Sequence, residues 1–125
     1  MRYFNGICLI TRDLPRLRSF YQELLQNAGD GDDVNYVFSL DGGEITLFTW
    51  DGMERMAPGS MSAAGHGGFT LEIEVEDVDL EYDMLLKRGV PVVKPPQTYP
   101  WGRRSVWFRD PDSNIINFYM RVFTK

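Results

Sequence analysis

Apolar and polar positions alternate from the start of the chain. Tyr3–Arg12 reads as a first strand, with Ile7, Leu9 and Thr11 pointing one way and Gly6, Cys8 and Ile10 the other. Asp13 follows as a helix N-cap, its carboxylate able to accept from the unpaired N–H groups of the first turn. Pro15 costs little there, because its missing N–H would have no partner. Leu14, Leu17, Tyr21, Leu24 and Leu25 then recur at helical spacing and mark one face for burial. Asn27–Asp33 is a polar break. Val34–Leu40 and Glu44–Trp50 read as two strands joined by Asp41-Gly42-Gly43, a favourable hairpin turn. Asp51–Gly68 carries Pro58, several glycines and Met53, Met56 and Met61, and reads as an irregular linker or an adaptable lid.

The second half repeats this order with little shared sequence. In Phe69–Glu76, Phe69, Leu71, Ile73 and Val75 face one side and Thr70, Glu72, Glu74 and Glu76 the other. Asp77 or Asp79 caps a second helix, Tyr82, Leu85 and Leu86 give its apolar stripe, and Gly89 ends it. Val90–Lys94 is a short strand stopped by Pro95-Pro96, and Gln97–Gly102 is a loop. Arg103–Arg109 and Asn114–Phe123 form a hairpin around Asp110-Pro111-Asp112-Ser113. A unit of some sixty residues with this plan cannot easily close its own sheet and cover both faces. The expectation is an α+β fold: paired βαβββ modules forming a cupped mixed sheet with helices on the convex face. Residues 1–125 make one domain, with module one at 1–52, a linker at 53–67 and module two at 68–125.

Composition narrows the function. The 125 residues include 13 Lys+Arg against 18 Asp+Glu, a formal charge of −5. No basic stripe exists to bind nucleic acid, and an acidic membrane surface would repel the chain. The lone Cys8 excludes an internal disulfide and a cysteine-based zinc cluster. With no apolar run long enough to span a membrane and no signal-like start, the expected location is the cytoplasm.

Two motifs carry a resemblance. Asp13-Leu14-Pro15, Ser19-Phe20-Tyr21 and Leu24-Leu25 after an apolar strand, and more specifically Trp101-Gly102-Arg103, Trp107-Phe108-Arg109-Asp110-Pro111-Asp112-Ser113-Asn114 and Asn117-Phe118, resemble the glyoxalase/bleomycin-resistance/extradiol-dioxygenase (vicinal oxygen chelate) superfamily. The resemblance spans essentially the whole chain and implies paired modules, a small-molecule site in the cup and a homodimer. Ser113 stands where the family usually has glycine, which implies strain there or a positive φ moved to Asn114. In metal-dependent relatives four inward side chains hold a divalent ion. The matching positions here are Gly6, Thr46, Thr70 and Asn117, none of them an ionised carboxylate, an imidazole or a thiolate. The only histidine, His66, lies outside any predicted strand and reads as an exposed loop residue unless the register shifts.

The remaining candidates lie on the expected concave side. Phe48 and Trp50 share the face of Thr46, Tyr119 shares that of Asn117, and Trp107 is a further candidate beside them; Tyr99 and Trp101 are placed to close a pocket. Large rings on an open sheet face mean an apolar pocket or a protein interface. Glu72 and Glu74 form either a pair for a cationic ligand or acid–base work, or a solvated face. Arg103 and Arg104 either grip a carboxylate or stand solvated, and Cys8 lacks a base to activate it. The leading expectation is a metal-independent, bleomycin-resistance-like protein with no cofactor that sequesters a small organic ligand, aromatic or apolar. The acidic total favours a neutral or cationic one. The ligand-binding set is Phe48, Trp50, Glu72, Glu74, Tyr99, Trp101, Arg103, Trp107, Asn117 and Tyr119, with no catalytic residue. The alternatives are a glyoxalase-type lyase, isomerase or dioxygenase using ligands such as His66, Glu72 and Glu44, and an interaction protein whose rings bury a protein segment.

Overall fold

A computed structural model describes residues 1–65 and 67–122. The chain divides into two units, Met1–Ala64 and Gly65–Lys125. In the first, β1 (Gly6–Thr11), α1 (Leu14–Leu25), β2 (Asp30–Gly31), β3 (Asn35–Leu40), β4 (Gly43–Thr49) and α2 (Trp50–Met56) follow in order. The strands form a four-stranded mixed sheet in the order β1-β4-β3-β2, with β1 parallel to β4 and the other pairs antiparallel.

Alternation decides what this sheet buries. Leu9, Thr11, Tyr36, Phe38, Ile45 and Leu47 face the core. Leu14, Leu17 and Tyr21 of α1 pack over them, with the Tyr21 ring 6.4 Å from that of Phe38. Each such aliphatic side chain contributes about 1.5–3 kcal/mol by leaving water. Asp13 caps α1 as expected, accepting from the Arg16 N–H at 3.2 Å. At the other end Gln26 takes the left-handed conformation, φ 50°.

The second unit contains β5 (Thr70–Glu74), α3 (Val78–Lys87), β6 (Val92–Thr98), β7 (Arg103–Arg109) and β8 (Ile115–Arg121). Its sheet order, β5-β8-β7-β6, is the same permutation, again with the first and last strands parallel. Leu71, Val106, Phe108, Ile116 and Phe118 are buried together with Val78 and Leu85 of α3. Phe108 and Phe118 meet edge to face at 4.9 Å. Asp77, not Asp79, caps α3 through the Leu80 N–H at 3.1 Å. Gly89 ends it at φ 71°, where a side chain would be strained.

Four expectations need correction. The stretch expected to be irregular opens with helix α2, so Trp50 starts a helix instead of ending a strand. Thr49 caps this helix at 3.0 Å, and the Glu54 carboxylate pins the turns after it by accepting from the Gly59 and Met61 N–H groups. Asp30–Gly31, placed in a polar break, pairs with β3. The strand expected to stop at Pro95-Pro96 runs on to Thr98; as an edge strand with two register shifts, β6 does not need the missing N–H groups. Finally, β1 starts at Gly6 and β8 ends at Arg121, each shorter than its alternating run suggested, and Phe123 lies outside the described residues.

The β7–β8 turn explains its own sequence. Asp110, 4% exposed, accepts at Oδ1 from the Asp112 and Asn114 N–H groups, both at 2.9 Å, and at Oδ2 from the Asn114 side chain at 2.8 Å. Ser113 itself carries the positive φ, 70°, so the left-handed position has not moved to Asn114.

Candidate functional site

The face of the second sheet turned away from α3 assembles most of the expected residues. Register places Lys94, Trp107, Asn117 and Glu72 in one row across β6, β7, β8 and β5. The next row runs Gln97, Ser105, Tyr119, Glu74. Thr70 lies on the same face of β5 and is exposed.

At the centre of this face are two unsatisfied atoms. Trp107 Nε1 and Asn117 Oδ1, from paired positions on β7 and β8, are shielded from solvent and have no hydrogen-bond partner among the described residues. A donor or acceptor left so costs about 1–3 kcal/mol, so native proteins rarely tolerate one without a use. Around them stand ring faces. The Lys94 ammonium lies 4.7 Å from the Tyr99 ring centre and 4.8 Å from that of Trp107, and donates to Ser105 Oγ at 3.0 Å. Tyr99 stacks on Trp101 at 4.7 Å and 11°, and Trp101 remains 71% exposed. The Arg103 guanidinium covers the Tyr119 ring at 4.0 Å.

The charged candidates are largely paired. Glu72 lies 3.7 Å from Arg103, and Glu74 lies 3.2 Å from Arg121. Arg103 and Arg104 diverge to opposite faces: Arg104 donates two hydrogen bonds to the Asp79 carboxylate, at 2.8 and 3.0 Å, and a third to Thr98 Oγ1. That guanidinium holds the Asp79 carboxyl below its ordinary range. Sequence reasoning missed Lys94. It sits where the strand was expected to end, and nothing in the sequence around it points to the Tyr99 and Trp107 rings that flank its ammonium.

Phe48 and Trp50 belong to the first unit. Phe48 shares a face with Thr46, Cys8 and Ile10, and its ring abuts α2 so closely that a β-carbon at Gly52 would approach it to 2.6 Å. The Trp50 ring stacks under the Arg12 guanidinium at 3.8 Å beside a cavity of about 340 Å³ lined by Thr49, Asp51, Val34 and Arg55. Burial raises the Cys8 thiol above its ordinary value, which disfavours the nucleophilic thiolate.

A strand–helix–three-strand unit occurring twice, each with a mixed sheet ordered alike and the second closed by an aspartate-organised Arg-Asp-Pro-Asp turn, defines the class. The family model of the Glyoxalase/Bleomycin resistance protein/Dioxygenase superfamily matches residues 3–118, and the chain belongs to that superfamily. It is 41% identical over 120 residues to the uncharacterized protein YraH of Bacillus subtilis (strain 168), covering 90% of this chain and 94% of that one. Among solved structures it is similar to a glyoxalase/bleomycin resistance protein/dioxygenase family enzyme from Burkholderia phytofirmans PsJN, with TM-score 0.84, 17% identity, and 94% and 98% of the two chains covered. It is also similar to a lactoylglutathione lyase from Agrobacterium tumefaciens, with TM-score 0.76, 20% identity, and 94% and 92% covered. At these identities the structural matches establish the fold.

The positions matched to the family's metal ligands do not fit an ion. A β-carbon at Gly6 would collide with the backbone carbonyl of Glu44, so that position admits no side chain at all. Thr46 and Thr70 offer neutral hydroxyls and Asn117 a neutral amide, all poor donors for a divalent cation. Among the described residues no three His, Cys, Asp or Glu side chains gather where they could share one ion. Of the substitute ligands considered, Glu72 faces Arg103, Glu44 is exposed in the first unit, and His66 lies outside the described residues.

Proposed function

We propose that this superfamily member is a metal-independent binding protein that sequesters a small aromatic organic ligand on the face of its second sheet turned away from α3. The observation that carries the reading is the buried pair Trp107 Nε1 and Asn117 Oδ1, without a hydrogen-bond partner among the described residues, on the sheet face that also carries Tyr119, beside Tyr99 and Trp101. A planar guest that displaces the side chains shielding these atoms supplies the two missing hydrogen bonds and buries its faces against the rings, with Arg103, Glu72 and Glu74 at the margin. No residue is assigned a catalytic role. We further propose a cytoplasmic homodimer; Tyr3 and Phe4, 77% and 85% exposed, give apolar surface for association. Light scattering tests the dimer.

Titration calorimetry against a library of aromatic metabolites and antibiotics tests the binding reading. Saturable binding is expected, weakened about tenfold in Trp107→Phe, which keeps a ring but loses the donor; a tenfold loss corresponds to about 1.4 kcal/mol. Wild-type affinity in that variant, or no binding across the library, overturns the proposal. A stoichiometric divalent ion in the purified protein, lost on His66→Ala and Glu72→Ala, would favour the glyoxalase-type enzyme instead.

A further inference from the structure

We infer that the ligand of the second sheet is an aromatic acid, whose carboxylate is received by Lys94; this rests on the binding reading above and specifies its chemistry. Among the described residues this face carries four cations, Lys94, Arg103, Arg109 and Arg121, and two carboxylates, Glu72 and Glu74. Glu72 lies against Arg103 and Glu74 against Arg121, while Arg109 donates to the Ser113 carbonyl at 2.9 Å. Lys94 has no carboxylate within ion-pair distance among the described residues, although the chain holds 18 acidic side chains against 13 basic ones. Its ammonium is half-buried between two ring faces, with Ser105 Oγ at 3.0 Å and the Ser105 carbonyl at 3.5 Å. An ammonium has three N–H donors, so one remains for a guest.

Packing alone does not account for this arrangement. The lysine stem could cover the rings while its head reached water, as exposed lysines do. Here the head is held between Tyr99 and Trp107, where aromatic faces stabilise a partly dehydrated cation. The adjoining position in the row adds the unpartnered Trp107 donor. An ammonium over the indole face and the indole's own N–H offer two donors for one carboxylate. The next position, Asn117, presents an unpartnered acceptor, which calls for an O–H or N–H on the guest close to its acid group. Strands lie about 4.8 Å apart, so the row from Lys94 to Asn117 spans roughly 10 Å, the length of a bicyclic aromatic acid. Glu72 at the far end disfavours the reverse orientation. The local charge thus overrules the whole-chain charge, which had favoured a neutral or cationic ligand.

The test compares 2-naphthoate, 2-naphthamide and 3-hydroxy-2-naphthoate by calorimetry on the wild type, Lys94→Met and Lys94→Arg. The wild type is expected to prefer the acid to the amide at least tenfold and to gain further affinity from the hydroxyl. Lys94→Met should erase the preference for acid over amide while leaving amide affinity in place, and Lys94→Arg should retain much of it. Equal wild-type affinity for acid and amide overturns the inference and leaves the binding reading standing, and needs no variant to fold. A preference that survives in Lys94→Met also overturns it. Failure of all three probes to bind overturns the inference, while the binding reading falls only if the whole library also fails to bind.

Discussion

The two sheets are built alike and used differently. Each places its first strand parallel to its last, and each begins its principal helix with an aspartate whose carboxylate accepts from the N–H three residues on. Their core faces are interchangeable in kind: Leu9, Phe38 and Leu47 in one, Leu71, Phe108 and Phe118 in the other. Their outer faces are not. The first presents Cys8, Ile10, Thr46 and Phe48, small or apolar with Glu44 at the margin; the second presents Lys94, Trp107, Asn117, Tyr119, Glu72 and Arg103. Folding requires only that one side of each sheet exclude water. The side released from that requirement is free to diverge, and in the second unit it holds Trp107 Nε1 and Asn117 Oδ1, buried without a hydrogen-bond partner among the described residues.

This contrast can be broken at its strongest point. Phe38→Ala and Phe118→Ala, both at fully buried positions, should each cost about 3–5 kcal/mol in urea unfolding. A loss confined to one sheet would show that the cores are not equivalent. The outer faces should respond unequally. Asn117→Leu removes an unpaired buried acceptor and is expected to weaken ligand binding about tenfold while stabilising the unliganded protein by about 1 kcal/mol. Thr46→Val, its counterpart on β4, should leave affinity unchanged by calorimetry. Asp13→Ala and Asp77→Ala should cost about 1 kcal/mol each in thermal unfolding, because the two caps make the same bond.

The smallest effect separates the units again. Asp79 has its pKa lowered from 3.8, first by the hydrogen bond from Arg104, which also raises the pKa of the arginine. A depressed folded-state value means that the contribution is complete above the unfolded value and is lost as pH falls through the folded one. Acid titration of stability should therefore lose this contribution below about pH 3.8, and Asp79→Asn should flatten that part of the curve. The pair is partly exposed, so the effect is slight.

Legibility in the sequence divides along the same line. Strand alternation in Thr70–Glu74 and the helical stripe at Leu14, Leu17 and Tyr21 report burial directly, because core positions are apolar with few exceptions such as Thr11. The Arg109–Asn114 turn was readable because Asp110 satisfies the turn's own backbone. Helix α2 was hidden by Gly52 within it and Pro58 after it, although Thr49 supplies an ordinary cap. The prolines of β6 concealed an edge strand and, with it, the position of Lys94. That Trp107 and Asn117 would lack partners was not legible at all, since an unmet bond is a property of the atoms around it.

The crowding at Gly6 limits what the first strand can be asked to hold. Placing an imidazole there would demand that the backbone of β1 retreat from Glu44, disturbing the parallel pairing that runs from Gly6 to Thr11. A single substitution at that position therefore cannot equip the strand with a side-chain donor without loosening its seam to β4.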